Sequence, residues 1–316
     1  MSNNLKTIDL FAGVGGVRLG FEKAGFSTVF ANDFEPACKP TYDLNSNDVK
    51  LTVADINLLK ISKLPEFDLL LGGFPCQAFS IAGYRKGFKD EKGRGNLFFR
   101  IADIVAERKP KAIFLENVKN LKNHDKGKTF KLIKKTLEEL GYYVKAEVLN
   151  SMLHGNVPQN RERIFIVGFR DKKHFDRFKF PDEIELKTNF RDLLEDNVSG
   201  RFYYNGKPLY SRIKNDITSK ETVYQWRRRY VRANKSGVVP TLTANMGTGG
   251  HNVPIILDDK GIRKLTPKEC FLIQGFPKDF KLPKMPDSKL YQQAGNSVSV
   301  PVIERIAKNI SEAMKN

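Results

Sequence analysis

Residues 7–16 read Thr-Ile-Asp-Leu-Phe-Ala-Gly-Val-Gly-Gly, a short apolar stretch that runs into a glycine-rich loop. The pattern predicts a strand at 7–10 and, after the loop, a helix that ends at Gly25. Gly13 and Gly15 carry no side chain, so the backbone can turn sharply there and approach a ligand closely. The stretch therefore predicts the opening strand, loop and helix of a nucleotide-binding α/β fold, although a tight structural turn would have a similar sequence.

An acidic residue follows this loop at the spacing that such folds use. Asp33 comes directly after a second predicted strand, at 28–31, and lies about 20 residues beyond Gly13. A carboxylate at this place can bind the hydroxyl groups of a ribose. The third glycine of the dinucleotide fingerprint is missing, which disfavours NAD.

Strand and helix signals alternate through about the first 170 residues, as expected for a doubly wound sheet. Further strands are predicted at 67–71, 112–115 and 164–168, and helices at about 98–107 and 128–140. After Lys172 this alternation fades. The chain therefore consists of one large α/β region followed by a region of different character.

Two chemically distinctive segments follow buried strands. Residues 72–80 read Gly-Gly-Phe-Pro-Cys-Gln-Ala-Phe-Ser, and Glu116-Asn117-Val118 begins forty residues after Cys76. Both segments are expected at the carboxyl ends of strands, where open α/β sheets bind their ligands. A cysteine and a carboxylate so placed suggest a thiolate nucleophile with an acid near it. A cysteine beside a proline is, taken alone, more often an ordinary small buried residue.

The composition indicates a polyanionic partner. Lysine and arginine number 54 against 36 aspartate and glutamate, a formal net charge of +18. A solvated, lysine-rich surface is the alternative explanation. Three cysteines, at 38, 76 and 270, cannot form a disulfide framework and suit a reducing compartment.

Other classes of protein are disfavoured. The histidines are scattered and no Cys-x-x-Cys occurs, so no structural metal site is expected. There is no signal peptide at the N-terminus, and no apolar stretch approaches the ~20 residues of a membrane span. We therefore expect a soluble cytoplasmic protein without membrane contact.

From Thr7 to about Ile306 these motifs occur in the order found in the cytosine-5 DNA methyltransferases of bacterial restriction–modification systems, which the chain resembles. One stretch, at about 172–236, is less recognisable. The resemblance implies that Cys76 attacks carbon 6 of a flipped cytosine and that Glu116 engages N3 of the ring. It also implies that Arg161 and Arg163, from a Gln-x-Arg-x-Arg motif, bind the cytosine carbonyl oxygen and a phosphate. Structural salt bridges to Glu162 or Glu116 are the alternative.

The resemblance further implies S-adenosylmethionine as cofactor. The glycine loop, with Phe11, would surround the methionine part, Asp33 the ribose, and Phe34 and Asp55 the adenine. Many relatives have glutamate at the position of Asp33. The segment 294–298, before a predicted C-terminal helix, would complete the pocket, although an ordinary polar helix start is the alternative. The expected cofactor-binding residues are Phe11, Ala12, Gly13, Gly15, Asp33, Phe34, Asp55, Ile56, Pro75, Leu97, Asn296, Ser297 and Val298.

Three segments are expected to contact DNA. Residues 77–96 combine glycines with cationic side chains, which is typical of a mobile lid beside a catalytic residue, whereas a disordered, solvated loop is the alternative. The second segment is the Gln-x-Arg-x-Arg motif. Residues 224–232 interleave aromatic residues with arginines, which suits phosphate contact and guanine reading, whereas a solvated charged face is the alternative. The expected DNA-binding residues outside the Arg161–Arg163 motif are Gln77, Ser80, Arg85, Lys89, Arg94, Arg227, Arg228, Arg229, Arg232 and Thr243.

The expected architecture is a doubly wound, Rossmann-like α/β sheet of the S-adenosylmethionine-dependent methyltransferase type, with a smaller target-recognition domain. Residues 1–182 and 290–316 would form the catalytic and cofactor-binding domain, and 183–289 the recognition domain with a hinge. The expected enzyme is a monomer that methylates cytosine in a specific short double-stranded DNA sequence. It would protect host DNA from a restriction endonuclease that it need not contact.

Three other functions are compatible with parts of this pattern: a tRNA cytosine-5 methyltransferase, a catalytically silent DNA-binding protein, and a nucleotide-dependent oxidoreductase. The sizeable variable region before Pro240 favours reading of a DNA sequence over tRNA. The retained cysteine and glutamate argue against a silent protein. Neither the recognition sequence nor the base that removes the carbon 5 proton follows from the residues.

Overall fold

The computed structural model describes residues 5–75, 97–234, 237–248 and 253–315, and the chain divides into two compact units. The first comprises Met1–Leu149, Glu162–Asp182 and Ile303–Asn316, and the second Asn150–Arg161 and Glu183–Val302. The division by function into 1–182 with 290–316 and 183–289 stays a prediction. The packing units differ from it chiefly at 150–161 and 290–302, which belong to the second unit.

The strands, in chain order, are β1 Lys6–Leu10, β2 Ser27–Asp33, β3 Thr52–Val53, β4 Leu69–Gly72, β5 Ala112–Val118, β6 Tyr143–Asn150, β7 Gln159–Asn160, β8 Glu162–Phe169, β9 Val223–Trp226, β10 Val231–Asn234, β11 Val239–Pro240, β12 Ile255–Asp258 and β13 Gly261–Lys264. The α-helices are α1 Gly16–Lys23, α2 Cys38–Leu44, α3 Leu97–Arg108, α4 Lys128–Glu139, α5 Ser151–Gly155, α6 Lys172–Arg177, α7 Tyr210–Ile213, α8 Pro267–Ile273, α9 Asp287–Asn296 and α10 Val300–Ala313. Among the described residues no helix is both long enough and apolar enough to cross a membrane.

The first unit is built on a seven-stranded sheet with the order β3-β2-β1-β4-β5-β8-β6. Strands β3, β2, β1, β4 and β5 are parallel to one another, and β8 is antiparallel to β5. Because β2 lies on one side of β1 and β4 on the other, the winding direction of the sheet reverses at β1. Open α/β sheets bind ligands outside the carboxyl ends of the strands at this reversal. The predicted doubly wound α/β fold is confirmed.

Strands β5 and β2 continue beyond the ends that the sequence predicts, and pairing explains both. β5 continues through Glu116 and Asn117, because β8 pairs with it as far as Val118. β2 continues to Asp33, because β3 pairs with its last two residues. Glu116 and Asp33 therefore lie within the last residues of strands instead of after them, and the sheet itself orients their side chains.

Apolar side chains on one face of the sheet form a continuous core. Ile8 and Leu10 of β1 pack in the same cluster as residues of β4, β5, α3 and α4, all of them buried. On helix α1, Gly20 meets α10 closely, since a methyl group on Gly20 would lie 2.6 Å from the Ile303 Cβ atom. Helix α1, which follows the glycine loop, is thus packed closely against Ile303.

The second unit contains a four-stranded sheet with the order β10-β9-β12-β13, whose described pairs are antiparallel. Trp226 and Ile255 belong to its apolar cluster. Arg263 makes two hydrogen bonds of 2.8 Å to the carboxylate of Glu269. Both residues are buried, and Glu269 also caps helix α8 together with Thr266. Such a two-point charged contact holds strand β13 to α8 in one geometry.

Candidate active site

The loop after β1 is a tight, strained turn. Phe11 has a φ of 58°, in the left-handed region that a bulky side chain rarely adopts, and Gly13 and Gly15 have φ values of 54° and 87°. The backbone N–H of Gly15 donates to the carbonyl of Ala12 at 2.8 Å, and the N–H of Ala12 donates to the carbonyl of Asn32 at 3.0 Å. Strained backbone of this kind clusters at ligand-binding sites.

Asp33 joins this loop to the end of β2. Its Oδ2 atom accepts a 2.7 Å hydrogen bond from the N–H of Gly13, and its Oδ1 atom accepts one of 2.8 Å from Glu35. Burial raises the pKa of Asp33 above its ordinary value. A carboxylate has about four lone-pair positions, so Asp33 can still accept hydrogen bonds from a ligand.

The aromatic residue after Asp33 is unusually open to solvent. Phe34 is 71% exposed, so its ring is accessible for stacking. Asp55 follows β3, the neighbour of β2, and its Oδ1 atom accepts a 2.9 Å hydrogen bond from the N–H of Asn57. Ile56 beside it is buried in the core of the first unit. The ends of β1, β2 and β3 thus bring the loop, Asp33, Phe34 and Asp55 to one edge of the sheet.

The remaining predicted cofactor residues lie in other places. Pro75 is exposed three residues after β4, and Leu97 is half-buried at the start of α3. Asn296 is the last residue of α9 and is exposed, while Ser297 and Val298 are buried. The last three residues belong to the second unit.

Glu116 lies beside the segment that leads to Cys76. It is 9% exposed, and its Oε2 atom would be 3.6 Å from a methyl group placed on Gly73. The next residue, Asn117, donates from Nδ2 to the carbonyl of Phe74 at 2.7 Å. Strand β5 therefore holds the backbone at 73–74 next to its own carboxylate.

Arg163 of β8 forms an ion pair with Glu116. Its Nε atom lies 3.1 Å from Glu116 Oε1, and its Nη1 atom donates to the carbonyl of Glu162 at 2.8 Å. The two side chains are only 16% and 12% exposed. The ion pair is the structural contact that the sequence left open as an alternative, and it also places a guanidinium and a carboxylate side by side at the ends of β5 and β8.

The structure shows the contacts of Arg161, whose predicted role at the cytosine or at a phosphate stays a prediction. This residue is 1% exposed, and its guanidinium donates to the backbone carbonyls of Leu242, Gly295 and Ser297 within the second unit. In this arrangement the guanidinium is not accessible to a cytosine or to a phosphate. These hydrogen bonds tie the segment at 242 to the end of α9. Glu162, the other predicted partner, pairs with Lys119 at 2.8 Å.

The predicted nucleophile and lid cannot be placed. Cys76, Gln77, Ser80, Arg85, Lys89 and Arg94 lie outside the described residues. The other two cysteines, Cys38 and Cys270, are described, and both are buried. Burial raises the pKa of the Cys270 thiol well above its usual value, which keeps it protonated and unreactive.

The predicted recognition arginines lie on one hairpin. Residues 227–230 connect β9 to β10, and the N–H of Arg227 donates to the carbonyl of Tyr230 at 2.9 Å. Arg227, Arg228, Arg229 and Arg232 are all exposed. Tyr230, which the sequence analysis did not single out, is 59% exposed at the same tip. Thr243 is exposed as well, and its hydroxyl bonds the side chain of Asn245 at 2.6 Å.

Comparisons with known proteins bear on the whole chain. A family model described as C-5 cytosine-specific DNA methylase matches residues 5–312. The type II methyltransferase M.Bsp6I of Bacillus sp. (strain RFL6) is 54% identical over 315 residues, which are 98% of this chain and 99% of the relative. The type II methyltransferase M.HhaI of Haemophilus parahaemolyticus is 38% identical over 325 residues, 98% and 95% of the two chains.

Solved structures share the fold. A DNMT2 mutant of Spodoptera frugiperda has a TM-score of 0.75 at 21% identity, over 97% of this chain and 99% of the other. The Dnmt2 methyltransferase of S. pombe also has a TM-score of 0.75, at 18% identity, over 99% and 100% of the two chains. The sheet is therefore of the S-adenosylmethionine-dependent methyltransferase type, as the sequence predicts.

Proposed function

Because this chain belongs to the C-5 cytosine-specific DNA methylases, which methylate carbon 5 of cytosine in DNA from S-adenosylmethionine, we propose that it acts on one cytosine of a specific short double-stranded sequence. The base is flipped out of the helix, since carbon 5 and carbon 6 are not accessible to the enzyme inside a stacked duplex. Cys76 forms a covalent adduct with it. The position of Glu116 beside the backbone that leads to Cys76 is the observation that most supports this mechanism.

The chemistry follows from the weakness of carbon 5 as a nucleophile. Addition of the Cys76 thiolate to carbon 6 makes the ring enamine-like, which activates carbon 5. S-adenosylmethionine supplies an electrophilic methyl group on a sulfonium. Loss of the carbon 5 proton then re-forms the ring double bond and expels the thiolate, so that Cys76 is regenerated. No side chain is assigned as the base for this proton.

Glu116 and Arg163 stabilise the ring during thiolate addition. Glu116 shares a proton with N3 as negative charge develops there, and Arg163 donates to the carbonyl oxygen. Their 3.1 Å ion pair and low exposure support these roles, because the pair keeps both groups in one orientation. The same contact would serve a purely structural pair, so the two roles must be separated by kinetics.

The residues present fit the cofactor. An exposed aromatic ring at Phe34 can stack on adenine, and Asp33 keeps lone pairs for ribose hydroxyls beside a strained loop that has no side chain at Gly13 or Gly15. Phe11, Ala12, Asp55, Ile56, Pro75, Leu97, Asn296, Ser297 and Val298 are the further residues proposed to hold it.

DNA is read by a separate region. Residues 183–289 form the target-recognition domain and 1–182 with 290–316 the catalytic domain. The four exposed arginines and Tyr230 on the β9–β10 hairpin support this assignment, because exposed cationic and aromatic side chains suit contacts with phosphates and bases. Gln77, Ser80, Arg85, Lys89, Arg94 and Thr243 make further DNA contacts.

The enzyme acts as a monomer in the bacterial cytoplasm. There it protects host DNA from a restriction endonuclease that recognises the same sequence and that it need not contact. The names of its relatives, type II methyltransferases, support this biological setting.

Bisulfite sequencing of plasmid DNA from cells that express the protein tests the proposal, since it reports product and sequence context together. We expect complete protection of one cytosine within a single short sequence, and none in a control strain that carries the empty plasmid. Protection spread over unrelated sequences would contradict sequence-specific recognition. A parallel assay on tRNA separates the alternative substrate: methylation of tRNA in place of DNA would overturn the proposal.

Replacing residues 187–236 with the matching segment of a relative of different specificity should change which sequence is methylated. Catalysis should survive, because Cys76, Glu116 and the glycine loop lie outside the segment. Among Arg227→Ala, Arg228→Ala, Arg229→Ala and Arg232→Ala, at least one should cost ~1–3 kcal/mol of base discrimination. The measurement is methylation of a library in which every position of the mapped site is varied.

The matched control for the arginine variants is Lys260→Ala, an exposed cation in another hairpin of the same unit, between β12 and β13. It should leave the sequence preference unchanged. An active chimera that keeps the original site would place recognition elsewhere, most simply at 245–251 or in the segment after Cys76.

A further inference from the structure

A buried polar group lies beneath the glycine loop, and nothing in the proposed mechanism uses it. It consists of Asp9 of β1, Arg18 of α1 and Tyr42 of α2, which are 0%, 3% and 0% exposed. We refer to these three residues as the loop cluster. A methyl group on Gly15 would lie 3.1 Å from Arg18 Nε and 3.1 Å from Tyr42 Cε2. The loop therefore rests directly on the side chains of this cluster.

Arg18 connects the loop to the rest of the unit. Its Nη1 atom donates to Glu22 at 2.8 Å, and its Nη2 atom donates to the carbonyl of Asn45 at 2.8 Å, just beyond α2. Its guanidinium carbon lies 4.8 Å from the centre of the Tyr42 ring. These contacts tie α1 to the end of α2 directly under Gly15, where no side chain larger than hydrogen would fit without displacing them.

Several atoms of the loop cluster have no hydrogen-bond partner among the described residues. They are both carboxylate oxygens of Asp9, Nε of Arg18 and the hydroxyl of Tyr42. The positive charge and the backbone N–H of Arg18 favour the ionised form of Asp9, but neither carboxylate oxygen accepts a hydrogen bond from a described residue. Buried polar atoms are nearly always hydrogen-bonded in proteins. Two unpaired donors and two unpaired acceptors within one cluster therefore indicate a common bonding partner.

We propose that Asp9, Arg18 and Tyr42 are positioning residues that, bridged by a buried water molecule, hold the glycine loop in the conformation that binds S-adenosylmethionine. Water fits this site chemically, because it accepts from Arg18 Nε and Tyr42 Oη and donates to Asp9, within the two to four partners that a buried water needs. None of the three residues has to touch the cofactor. The inference rests on the proposed placement of the cofactor at this loop.

The charge of Asp9 should make the affinity for S-adenosylmethionine depend on pH. Burial raises the pKa of Asp9 to about 7, although Arg18 opposes the shift. Among the described residues, the other charged or titratable groups that act on it are Glu22 of α1, Asp33 of β2 and Tyr42 of α2. Strand β4, on the other side of β1, contributes only leucines and a glycine. A cationic cofactor favours the ionised carboxylate, so affinity for it should rise as the pH increases through about 7.

Calorimetric titration of the full chain with S-adenosylmethionine, well below the melting temperature, tests the proposal. Tyr42→Phe removes only the hydroxyl and Asp9→Asn only the charge, and each should weaken binding by about 5- to 50-fold. In Asp9→Asn the rise of affinity between pH 6 and pH 8 should flatten. Tyr142→Phe is the matched control, since its buried hydroxyl bonds the Pro110 carbonyl at 2.7 Å and is not part of the loop cluster. It should lower thermal stability and leave affinity unchanged.

Phe34→Ala separates this inference from the proposed cofactor site. If Phe34→Ala weakens binding while Tyr42→Phe and Asp9→Asn bind as the unmodified protein does, the loop cluster is only structural and the inference is overturned. If Phe34→Ala also leaves binding unchanged, the placement of the cofactor at this loop is wrong, and the inference fails with it. An affinity that does not change between pH 6 and pH 8 would contradict the role given to the charge of Asp9.

Discussion

Cys76→Ser will lose methyl transfer by at least about 10³-fold while DNA binding is retained. An alcohol is far less ionised than a thiol at neutral pH, so serine cannot add to carbon 6 at a useful rate. The loss should appear in kcat, measured as transfer of labelled methyl groups to DNA, and not in the Kd for DNA. This effect is expected to be the largest of any single substitution, because the covalent step makes all later ones possible.

Cys38→Ala and Cys270→Ala serve as controls for this result. Both thiols are buried, and burial raises the pKa of Cys270 well above its ordinary value, so neither can act as the nucleophile. These variants should lose some stability and keep their turnover per folded molecule. Undiminished turnover in Cys76→Ser would exclude the covalent mechanism.

Glu116→Gln should slow the chemical step by roughly 10²–10⁴, the range of general-acid contributions. Glutamine keeps the shape of the side chain and some hydrogen bonding, but it cannot share a proton with N3 in the same way. Single-turnover methylation with saturating cofactor and DNA measures this step. Affinity for S-adenosylmethionine should change little, because the glycine loop and Asp33 lie at the ends of other strands than β5.

Glu162→Gln is the matched control for Glu116→Gln. Glu162 is an acid on the neighbouring strand β8, with its side chain 41% exposed and paired with Lys119. Its loss should leave the rate of the chemical step nearly unchanged. If cofactor binding fell together with the rate in Glu116→Gln, the Glu116–Arg163 pair would be a scaffold and the assignment of Glu116 as the acid would be wrong.

The sequence predicts the alternating strands and helices well, because each carries a clear apolar pattern. The residues at which strands end are harder to predict from the sequence. β5 runs on through Glu116 since β8 pairs with it to Val118, and a pairing between segments about fifty residues apart leaves no mark in the local sequence. Likewise, β2 continues to Asp33 because β3 pairs with its last two residues.

The two arginines of the Gln-x-Arg-x-Arg motif show why the contacts of site residues cannot be predicted from the sequence alone. Arg161 and Arg163 are two residues apart and look equivalent in the sequence. Arg161 comes between strands β7 and β8 and bonds carbonyls at 242, 295 and 297, whereas Arg163 lies within β8 and reaches Glu116. Their separation depends on contacts with distant parts of the chain.

Asp9 is a different case. A lone carboxylate in the apolar stretch Thr-Ile-Asp-Leu is unusual in the sequence, but no role was predicted for it. Its meaning requires knowing that Arg18 and Tyr42, from two different helices, are buried beneath the same loop. Neither spacing nor composition relates these three residues.

Trapping with DNA that contains 5-fluorocytosine at the methylated position tests the covalent mechanism most directly. Fluorine cannot leave carbon 5 as a proton does, so the adduct should persist after methyl transfer. With S-adenosylmethionine present we predict a protein–DNA complex that survives denaturation, whose peptide mass places the link at Cys76. A complex linked through another residue, or no complex under conditions in which ordinary cytosine is methylated, would contradict the account.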